Sequence, residues 1–462
     1  MMKTYSVEEA KKSILKRQPF GQQAVPQKTL DGIHALFGEP LTPAEAVARI
    51  LADVHERGDQ ALVEWNTKLD NSSTPMMRVS AAEMQSALNG LPDKQLAALK
   101  FSIERVRAFH SKQPASSWVD QSMGGTVGQL LRPIRRVGLY VPGGSAPLPS
   151  SVIMSAIPAQ VAGVKEIVIC SPADRTTGRI SSVTLAAAAL VGVDEVYAIG
   201  GAQAIAAMAF GTESIIAVDK IFGPGNLFVT LAKQQVFGAV GIDTLAGPTE
   251  TVIIADDTAN PNWVALDLLA QAEHDPLAAA ILLTPSAQLA EKVNAEIESL
   301  TKGQPAFSRQ DILEQSLNDR SGMVVTKDLD QAIELSNRYA PEHLNLVVSE
   351  PFNWIPKIES AGGVFVGEQS FEVLGDYAAG PSHVMPTGGS ARYASPLNVW
   401  DFLHIVSLIA LNPAGAADVA AASSVIARME GLDAHARSAE ARDVTLAQAA
   451  SASVASPAKN NG

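Results

Sequence analysis

The segment "LLAQAEHDP" ends an apolar, helix-like pattern with two polar side chains that could bind a metal ion. Asn260 can cap this helix at its start, and Pro276 forces its end. Gln271 continues the apolar face that includes Leu268, and His274 follows three residues later. A divalent metal can bind both an amide oxygen and an imidazole nitrogen. By itself, however, such a pair is more typical of a hydrogen-bonded helix end.

Three further segments, "PEHL", "GDYAAGPSH" and "EGLDAH", place an imidazole close to a carboxylate. An adjacent pair at the start of a strand-like run suits proton transfer, because imidazole titrates near neutral pH and a carboxylate can activate a water molecule. Each segment taken alone is more typical of a surface or capping role. The pairs, in chain order, are Glu342 with His343, Asp376 with His383, and Glu430 with His435.

Two glycine-rich segments, "YVPGGSAPLPSS" and "IFGPGN", each follow a strand-like run and precede a helix-like one. Ligands of open parallel sheets bind beyond the carboxyl ends of the strands, and helix N-termini favour anionic groups. Neither segment completes the G-x-G-x-x-G fingerprint of dinucleotide-binding proteins. The turns alone therefore leave two interpretations open, a nucleotide site and tight turns without a ligand, and they favour the second.

The elements that must position these residues alternate between strand and helix from about residue 135. Short strand-like runs end in Gly or Pro and Ala-rich helical runs lie between them, which predicts an α/β fold with parallel sheets. We expect two sheets, with boundaries near residues 139 and 248 and the middle sheet inserted in the other. The first third of the chain and the part after Ala394 are expected to be mostly helical. Residues 451–462 form a polar tail that is expected to be disordered.

The composition restricts the compartment and the classes of partner. A hydrophobic fraction of 47% across 462 residues is enough for large cores. The net charge of −13 argues against a nucleic-acid or anionic-membrane partner. The single cysteine, Cys170, allows no internal disulfide and fits a reducing compartment. Because neither a signal peptide nor an apolar run of membrane-spanning length is visible, we predict a cytoplasmic protein.

Taken together, these segments resemble the L-histidinol dehydrogenase family from about residue 20 to residue 445. The resemblance rests on specific motifs in a fixed order, which are "GLYVPGGSAPLPSSVIM", "GGAQAIAAMAFGT", "KIFGPGN", "GIDTLAGPTE", "LLAQAEHDP", "PEHL", "GDYAAGPSHVMPTGG" and "EGLDAH". It implies an enzyme that oxidises L-histidinol to L-histidinal and then to L-histidine, the last steps of histidine biosynthesis, with two NAD⁺ and one water. It also implies two Rossmann-like domains and an intertwined homodimer with one zinc ion (Zn²⁺) per subunit.

The resemblance also implies a role for individual residues. The catalytic residues would be His343, the base in both oxidations, and Glu342, which would activate the water. The zinc ligands would be Gln271, His274, Asp376 and His435, the last supplied by the partner subunit. The substrate pocket would include these four residues together with Thr249, His343, His383 and Glu430. The residues that contact NAD⁺ would be Tyr140, Gln203 and Asn226.

On the same basis, the chain divides into functional regions. Residues 31–139 and 249–394 would form the α/β domain that carries the substrate and zinc site. Residues 140–248 would form the inserted Rossmann-like NAD domain. Residues 1–30 would be an N-terminal helical segment, and residues 395–450 a C-terminal helical part that forms the dimer.

The sequence departs from the family pattern at a few positions near the site. Thr249 stands where many members have Ser, and Phe371 stands where Pro is usual. These departures affect fine specificity more than reaction class. One alternative is a related zinc- and NAD-dependent dehydrogenase of another small primary alcohol, such as a sulfonated diol. A catalytically silent zinc-binding protein is a second alternative, and the presence of both Glu342 and His343 argues against it.

Overall fold

The computed structural model describes residues 2–17, 25–70, 77–143, 147–304 and 306–442, so the predicted disordered tail, 451–462, lies outside the described residues. The chain divides into two compact units. The first unit is formed by Met1–Gln113 and Ile134–Phe402, and the second by Pro114–Pro133 and Leu403–Gly462. The first unit contains two parallel sheets, which confirms the predicted α/β fold class.

The strands and helices have the following bounds. The strands are β1 (Thr4–Ser6), β2 (Trp118–Asp120), β3 (Gly125–Pro133), β4 (Arg136–Tyr140), β5 (Glu166–Ser171), β6 (Glu195–Ala198), β7 (Lys220–Phe222), β8 (Gly241–Ile242), β9 (Glu250–Ala255), β10 (Ala279–Thr284), β11 (Gly322–Val325), β12 (His343–Val347), β13 (Gly363–Val366) and β14 (Leu403–Leu411). The α-helices are α1 (Val7–Lys12), α2 (Gln27–Phe37), α3 (Pro43–Arg57), α4 (Asp59–Asp70), α5 (Ala81–Asn89), α6 (Asp93–His110), α7 (Pro149–Ala162), α8 (Ser182–Val191), α9 (Gly201–Phe210), α10 (Leu227–Val236), α11 (Pro261–Ala272), α12 (Ala287–Lys302), α13 (Gln310–Asp319), α14 (Leu329–Tyr339), α15 (Glu372–Tyr377), α16 (Pro413–Met429) and α17 (Asp433–Glu440).

A six-stranded parallel sheet has the strand order β1-β11-β10-β9-β12-β13. Its central strands β9 and β10 are buried at every position, as expected for a parallel sheet with helices on both faces. Ile253 and Leu282 pack with residues of α11 and α12 on one face. Val252 and Ile281 pack with residues of α14 on the other face. The strands of this sheet are therefore rigid supports for the polar residues at their ends.

A five-stranded parallel sheet has the strand order β6-β5-β4-β7-β8 and comes from one stretch of the chain between β1 and β9. The chain extends from β4 through β5 to β6 on one side and then from β7 to β8 on the other. The order therefore reverses between the neighbouring strands β4 and β7. The crevice at such a reversal is the usual ligand site of doubly wound sheets. The two glycine-rich segments of the sequence follow these two strands.

Two predicted boundaries differ from the structure. Residues 1–30 are not wholly helical, because Thr4–Ser6 is an edge strand that pairs with β11. The predicted boundary at residue 139 divides a single strand, Arg136–Tyr140. Backbone pairing of a short edge strand is a long-range interaction, and it leaves no periodic signal in the local sequence.

The predicted grouping of residues 31–139 with residues 249–394 was wrong. Val47 of α3 and Leu62 of α4 share a buried cluster with Cys170 of β5 and Ile205 of α9. The helices of this region therefore pack on the five-stranded sheet. Their amphipathic pattern identified the buried face of each helix, and it carried no information about which sheet would cover that face.

The second unit combines a small antiparallel sheet with two helices. β14 pairs with β3 along nine residues, from Leu403 opposite Pro133 to Leu411 opposite Gly125. The expectation of a mostly helical part after Ala394 therefore missed a strand. The helices α16 and α17 follow that strand. Among the described residues, no helix is both long enough and apolar enough to span a membrane.

Candidate active site

The candidate active site lies at the amino-terminal edge of the six-stranded sheet. His343 is the first residue of β12, and Thr249 immediately precedes β9. Helix α11 begins with the predicted Asn260 cap and runs antiparallel to the strands, so its last turn brings Gln271 to this edge. The short helix α15 adds Asp376. Parallel pairing of β9 with β12 aligns the starts of the two strands, which brings segments far apart in sequence together.

Glu342 accepts two hydrogen bonds, one from the side chain of Thr249 and one from the backbone of Glu250. The Thr249 hydroxyl donates to Glu342 Oε2 over 2.5 Å, and the Glu250 N–H donates to the same oxygen over 3.1 Å. Burial raises the pKa of Glu342 to about 7, while the nearby His343 and Thr249 act in the opposite direction. A carboxylate with a pKa near neutrality can take up and release a proton under physiological conditions, as general-base catalysis requires.

His343 presents one ring nitrogen to acceptors and leaves the other without a partner. Its Nδ1 lies 3.3 Å from the Glu250 carbonyl oxygen and 3.8 Å from Glu342 Oε2. Since a carbonyl oxygen only accepts, this contact assigns the Nδ1–H tautomer. His343 Nε2 is buried without a hydrogen-bond partner among the described residues, 3.8 Å from Asp376 Oδ1. The imidazole therefore offers a free basic nitrogen at Nε2.

Gln271 is fully buried, as its position on the apolar face of the helix predicted. Its amide oxygen, when it faces the Glu250 N–H, accepts from that group over 2.7 Å, and the Thr249 hydroxyl oxygen lies 2.7 Å away. The amide NH₂ then donates to the carboxylate of Glu372. The polar end of α11 is therefore part of a continuous network with the Glu342–His343 pair.

Two further imidazoles surround Asp376. His274 is exposed after the end of α11, where partial desolvation lowers its pKa and the charge of Asp376 opposes this effect. His383 is half-buried, with Nδ1 2.8 Å from the Asp376 backbone oxygen and Nε2 3.5 Å from Ser151 Oγ. Burial lowers the pKa of His383. Both imidazoles therefore favour the neutral form, which is the form that binds metal ions.

The donor atoms at this edge fit a zinc ion in kind. An amide oxygen, neutral imidazole nitrogens and a carboxylate are all ligands that zinc accepts. They come from Gln271, His274 and Asp376, which lie at the same end of the sheet. Within the described part of the chain, no set of three or more His, Cys, Asp or Glu side chains is already arranged around one point as a metal site.

Comparisons with known proteins identify the family. The histidinol dehydrogenase family model matches residues 41–443. The histidinol dehydrogenase of Dechloromonas aromatica is 50% identical over 400 residues, which cover 86% of this chain and 91% of that protein. The histidinol dehydrogenase of Deinococcus radiodurans is 48% identical over 423 residues, which cover 92% of this chain and 96% of that protein. The chain belongs to the histidinol dehydrogenase family.

A solved structure agrees with this assignment. The crystal structure of histidinol dehydrogenase from Elizabethkingia anophelis matches with a TM-score of 0.86 and 36% sequence identity. The match covers 96% of this chain and 99% of that chain. The predicted resemblance to the histidinol dehydrogenase family is therefore confirmed over nearly the whole length.

Two residues expected in the histidinol dehydrogenase site lie in the second unit. Glu430 follows α16, and His435 lies in the first turn of α17. Both side chains are exposed. The other expected substrate and zinc residues, described above, belong to the first unit. The role of Glu430 and His435 therefore remains a proposal of the family resemblance.

The residues that the histidinol dehydrogenase resemblance assigns to NAD⁺ lie at the carboxyl edge of the five-stranded sheet. Tyr140 ends β4, and its hydroxyl accepts a hydrogen bond from the Gly201 N–H over 3.2 Å. Gln203 is fully buried, and its Oε1 has no partner in the described ranges of the chain. Asn226 caps α10, where its side-chain oxygen accepts from two backbone N–H groups. A buried polar atom without a partner fits a site that is completed by a ligand.

The turn after β7 requires glycine for steric reasons. Gly223 has φ +113°, and a side-chain carbon there would lie 2.1 Å from the Tyr140 carbonyl oxygen. Lys233 and Asp243 stabilise this turn. The Lys233 ammonium donates to the Gly223 carbonyl, and Asp243 accepts from the Gly223 N–H. The glycine of "IFGPGN" therefore permits the close approach of β4 and β7 beside the crevice.

Two buried carboxylates of this family member were missed by sequence reasoning. The side chain of Glu250 forms an ion pair with Arg17 and accepts a hydrogen bond from the Gly388 N–H. Glu372 contacts Gln271 and lies 3.7 Å from His343 Nδ1, and burial raises its pKa. The available signal was an acidic residue inside an otherwise apolar run, as in "TETVIIA" and "SFEVL", because a buried carboxylate is rare without a specific partner.

Proposed function

We propose that this chain oxidises L-histidinol to L-histidinal and then to L-histidine, with NAD⁺ as the electron acceptor. The observation that carries the proposal is the Glu342–His343 pair, in which a carboxylate with a pKa of about 7 lies beside an imidazole. The Nε2 atom of that imidazole has no hydrogen-bond partner within the described ranges. Gln271, His274 and Asp376 lie beside this pair, and their donor atoms would form the site that holds the substrate. The names of the relatives support the choice of substrate.

His343 acts as the base in both oxidations. Its Nε2 takes the hydroxyl proton of the substrate alcohol and later a hydroxyl proton of the aldehyde hydrate. In each step the hydride leaves the carbon that carries that hydroxyl. Its Nδ1–H stays on the Glu250 carbonyl, which fixes the ring orientation. When bound, NAD⁺ accepts the hydride in each of the two oxidations.

Glu342 acts between the two oxidations. Its carboxylate takes a proton from a water molecule, and the resulting hydroxide adds to the aldehyde carbon. The aldehyde oxygen takes the proton that His343 gained in the first oxidation, which completes the hydrate and returns His343 to its basic form. Thr249 and the Glu250 N–H orient the carboxylate through the hydrogen bonds described above. A pKa near 7 keeps a large fraction of Glu342 ionised at neutral pH while it remains basic enough to accept the proton.

Zinc, one ion per subunit, would be held by Gln271, His274 and Asp376 together with His435 from the partner subunit. When bound, it would grip the imidazole and the amine of the substrate, so that the aldehyde stays in the site between the two oxidations. Thr249, His383 and Glu430 would complete the substrate pocket. The neutral form favoured by the imidazole of His274 supports this assignment.

We infer that NAD⁺ binds at the order reversal of the five-stranded sheet, in the inserted part of the chain. Tyr140 is the last residue of β4, and Gln203 and Asn226 follow β6 and β7, so all three lie on the carboxyl side of this sheet. The shape of the "IFGPGN" turn supports this location, and so does the Gln203 oxygen, which has no partner among the described residues. General experience with open parallel sheets places nucleotides at this kind of crevice.

We also propose a homodimer with shared active sites in the cytoplasm, without a nucleic-acid or membrane partner. The second unit exposes apolar side chains on β14 and α16, such as Ile409, Val425 and Met429. Exposed apolar patches of this kind mark protein interfaces. The net charge of −13 supports the absence of an anionic partner. The single cysteine supports a reducing compartment.

The test is an assay of the purified full chain with L-histidinol and NAD⁺, paired with a metal analysis of the same sample. We expect two NADH for each histidinol consumed, L-histidine as the product, and about one zinc per subunit. A parallel panel contains other small primary alcohols, including a sulfonated diol. Absence of NAD⁺ reduction with histidinol, together with good turnover of another alcohol, would favour the alternative dehydrogenase.

A further inference from the structure

The five-stranded sheet lacks the usual ribose-binding acid at its usual place. In doubly wound dinucleotide sites, an acidic residue beyond the second strand binds the 2′-hydroxyl of the adenosine ribose. The corresponding strand here is β5, and the acid that follows it is Asp174. Asp174 is exposed, and its carboxylate accepts from the backbone N–H groups of Thr176 (3.1 Å) and Thr177 (2.9 Å). Oδ1 of this carboxylate therefore accepts hydrogen bonds within its own turn.

A different acid reaches the same region from helix α4. Asp70 is the last residue of α4, and its carboxylate lies at the turns that follow β5 and β6. A side-chain carbon at Gly200 would lie 3.2 Å from Asp70 Oδ2 and 2.5 Å from Pro172 Cβ. Pro172 follows β5 and Gly200 follows β6, so Asp70 lies on the side of the crevice where the adenosine half of a dinucleotide binds.

A second acceptor, the side-chain oxygen of Gln203, lies in the environment of Asp70. Gln203 Nε2 lies 3.4 Å from Asp70 Oδ2, and this contact directs the Gln203 side chain. Gln203 is fully buried, and its Oε1 has no hydrogen-bond partner among the residues that the structure describes. A carboxylate and an amide oxygen side by side are acceptors for two donors. The vicinal hydroxyls of a ribose supply such a pair of donors.

We infer that Asp70 accepts hydrogen bonds from the adenosine ribose of the dinucleotide and thereby selects NAD⁺ over its 2′-phosphorylated form. This inference rests on the proposed NAD⁺ dependence. A 2′-phosphate in this position would bring its negative charge against the carboxylate, and it would remove one of the two donors. Burial raises the pKa of Asp70, while the Gly200 N–H and the charge of Arg175 favour the ionised form. Arg175 itself is directed to the Leu69 carbonyl, 3.1 Å away.

The experiment measures binding of ADP-ribose and of 2′-phospho-ADP-ribose to the full chain by isothermal titration calorimetry. Both probes lack nicotinamide, so the measurement is independent of turnover. We expect the unchanged chain to prefer ADP-ribose. Asp70→Asn is nearly isosteric, and it should weaken ADP-ribose binding about tenfold or more, since a hydrogen bond to a charged acceptor is lost. It should also reduce the discrimination against the 2′-phosphate.

Asp174→Asn is the matched control, because it alters the acid at the usual sequence position. It should leave both affinities unchanged. Asp70→Glu is a second variant that retains the charge, and it should bind ADP-ribose more weakly while it still rejects the 2′-phosphate. Circular dichroism establishes that each variant is folded.

Three results would overturn the inference. They are wild-type affinity and discrimination in a folded Asp70→Asn chain, wild-type affinity for ADP-ribose in Asp70→Glu, and loss of discrimination in Asp174→Asn. If the unchanged chain binds neither probe and reduces no NAD⁺ with histidinol, the proposed NAD⁺ dependence itself fails, and the inference fails with it. If the unchanged chain turns over histidinol with NAD⁺ and prefers ADP-ribose, but a variant gives one of the three results above, only the inference about Asp70 fails.

Discussion

The Thr249 hydroxyl lies 2.5 Å from Glu342 Oε2, although the two residues are 93 positions apart in the chain. The parallel register of β9 and β12, with Thr251 opposite His343, brings the starts of the two strands together. Thr249 was expected in the substrate pocket. The structure adds a second task, because the same hydroxyl stabilises the ionised form of the carboxylate that we propose activates water.

Thr249→Val should impair the second oxidation more than the first. Valine keeps the shape of threonine and removes the hydrogen bond that favours ionised Glu342, so the pKa of Glu342 should rise further. The rate of aldehyde oxidation should then fall several-fold at neutral pH and recover in more alkaline buffer. Thr249→Ser is the control, since it retains the hydroxyl. The pH profile of aldehyde oxidation measures the effect, and identical profiles for the Val and Ser variants would contradict it.

His343→Asn and Glu342→Gln should separate the two oxidations. Loss of the His343 base should reduce both steps by two orders of magnitude or more, as is typical of general-base catalysis. Glu342→Gln should reduce mainly the conversion of aldehyde to acid, because the first step needs no water. Single-turnover measurements with the alcohol and with the aldehyde distinguish the steps. Equal, mild losses in both steps for both variants would argue against this division of labour.

Aldehyde oxidation should accelerate as the pH rises through about 7. Glu342 must be ionised to take a proton from water, and burial raises its pKa to about 7. The ionised fraction, and with it the rate of this step, should fall about tenfold for each pH unit well below that value and level off above it. Rates measured on both sides of neutrality test this. A flat profile in the unchanged enzyme would exclude Glu342 as the group that titrates.

Asp267 should make the protein less stable in alkaline buffer. It lines a cavity of about 430 Å³ with Trp263 and Phe371, and burial raises its pKa from 3.8 to about 7. Because the folded-state pKa is raised, the protonated form contributes stability that is fully present below pH 3.8 and is lost as the pH rises through about 7.

Asp267→Asn should therefore raise the free energy of unfolding above pH 7 by on the order of 1 kcal/mol or more, with a smaller change in acid. Denaturant unfolding on both sides of neutrality measures this difference. Asp257→Asn, which changes an exposed carboxylate after β9, is the control and should not alter the pH dependence in this way. A destabilised Asp267→Asn protein at alkaline pH would show that the carboxylate has a stabilising partner instead.

Local sequence patterns determined much of the fold and of the chemistry. The Asn260 cap and the apolar face that continues through Gln271 predicted helix α11, and the structure contains that helix with Gln271 fully buried. Periodicity succeeds in such cases because capping and burial of one face depend on neighbours within a few turns. The family motifs supplied the Glu342–His343 pair, which the structure places side by side in the core.

Only the tertiary structure decided which distant groups meet. The ion pair of Arg17 with Glu250 and the contact of Asp70 with Gln203 join residues from separate parts of the chain. The packing of Val47 on the five-stranded sheet was equally invisible in the sequence. The physical reason is that a local pattern fixes which side of an element avoids water, whereas the partner that covers that side depends on strand register and on the packing of the whole unit.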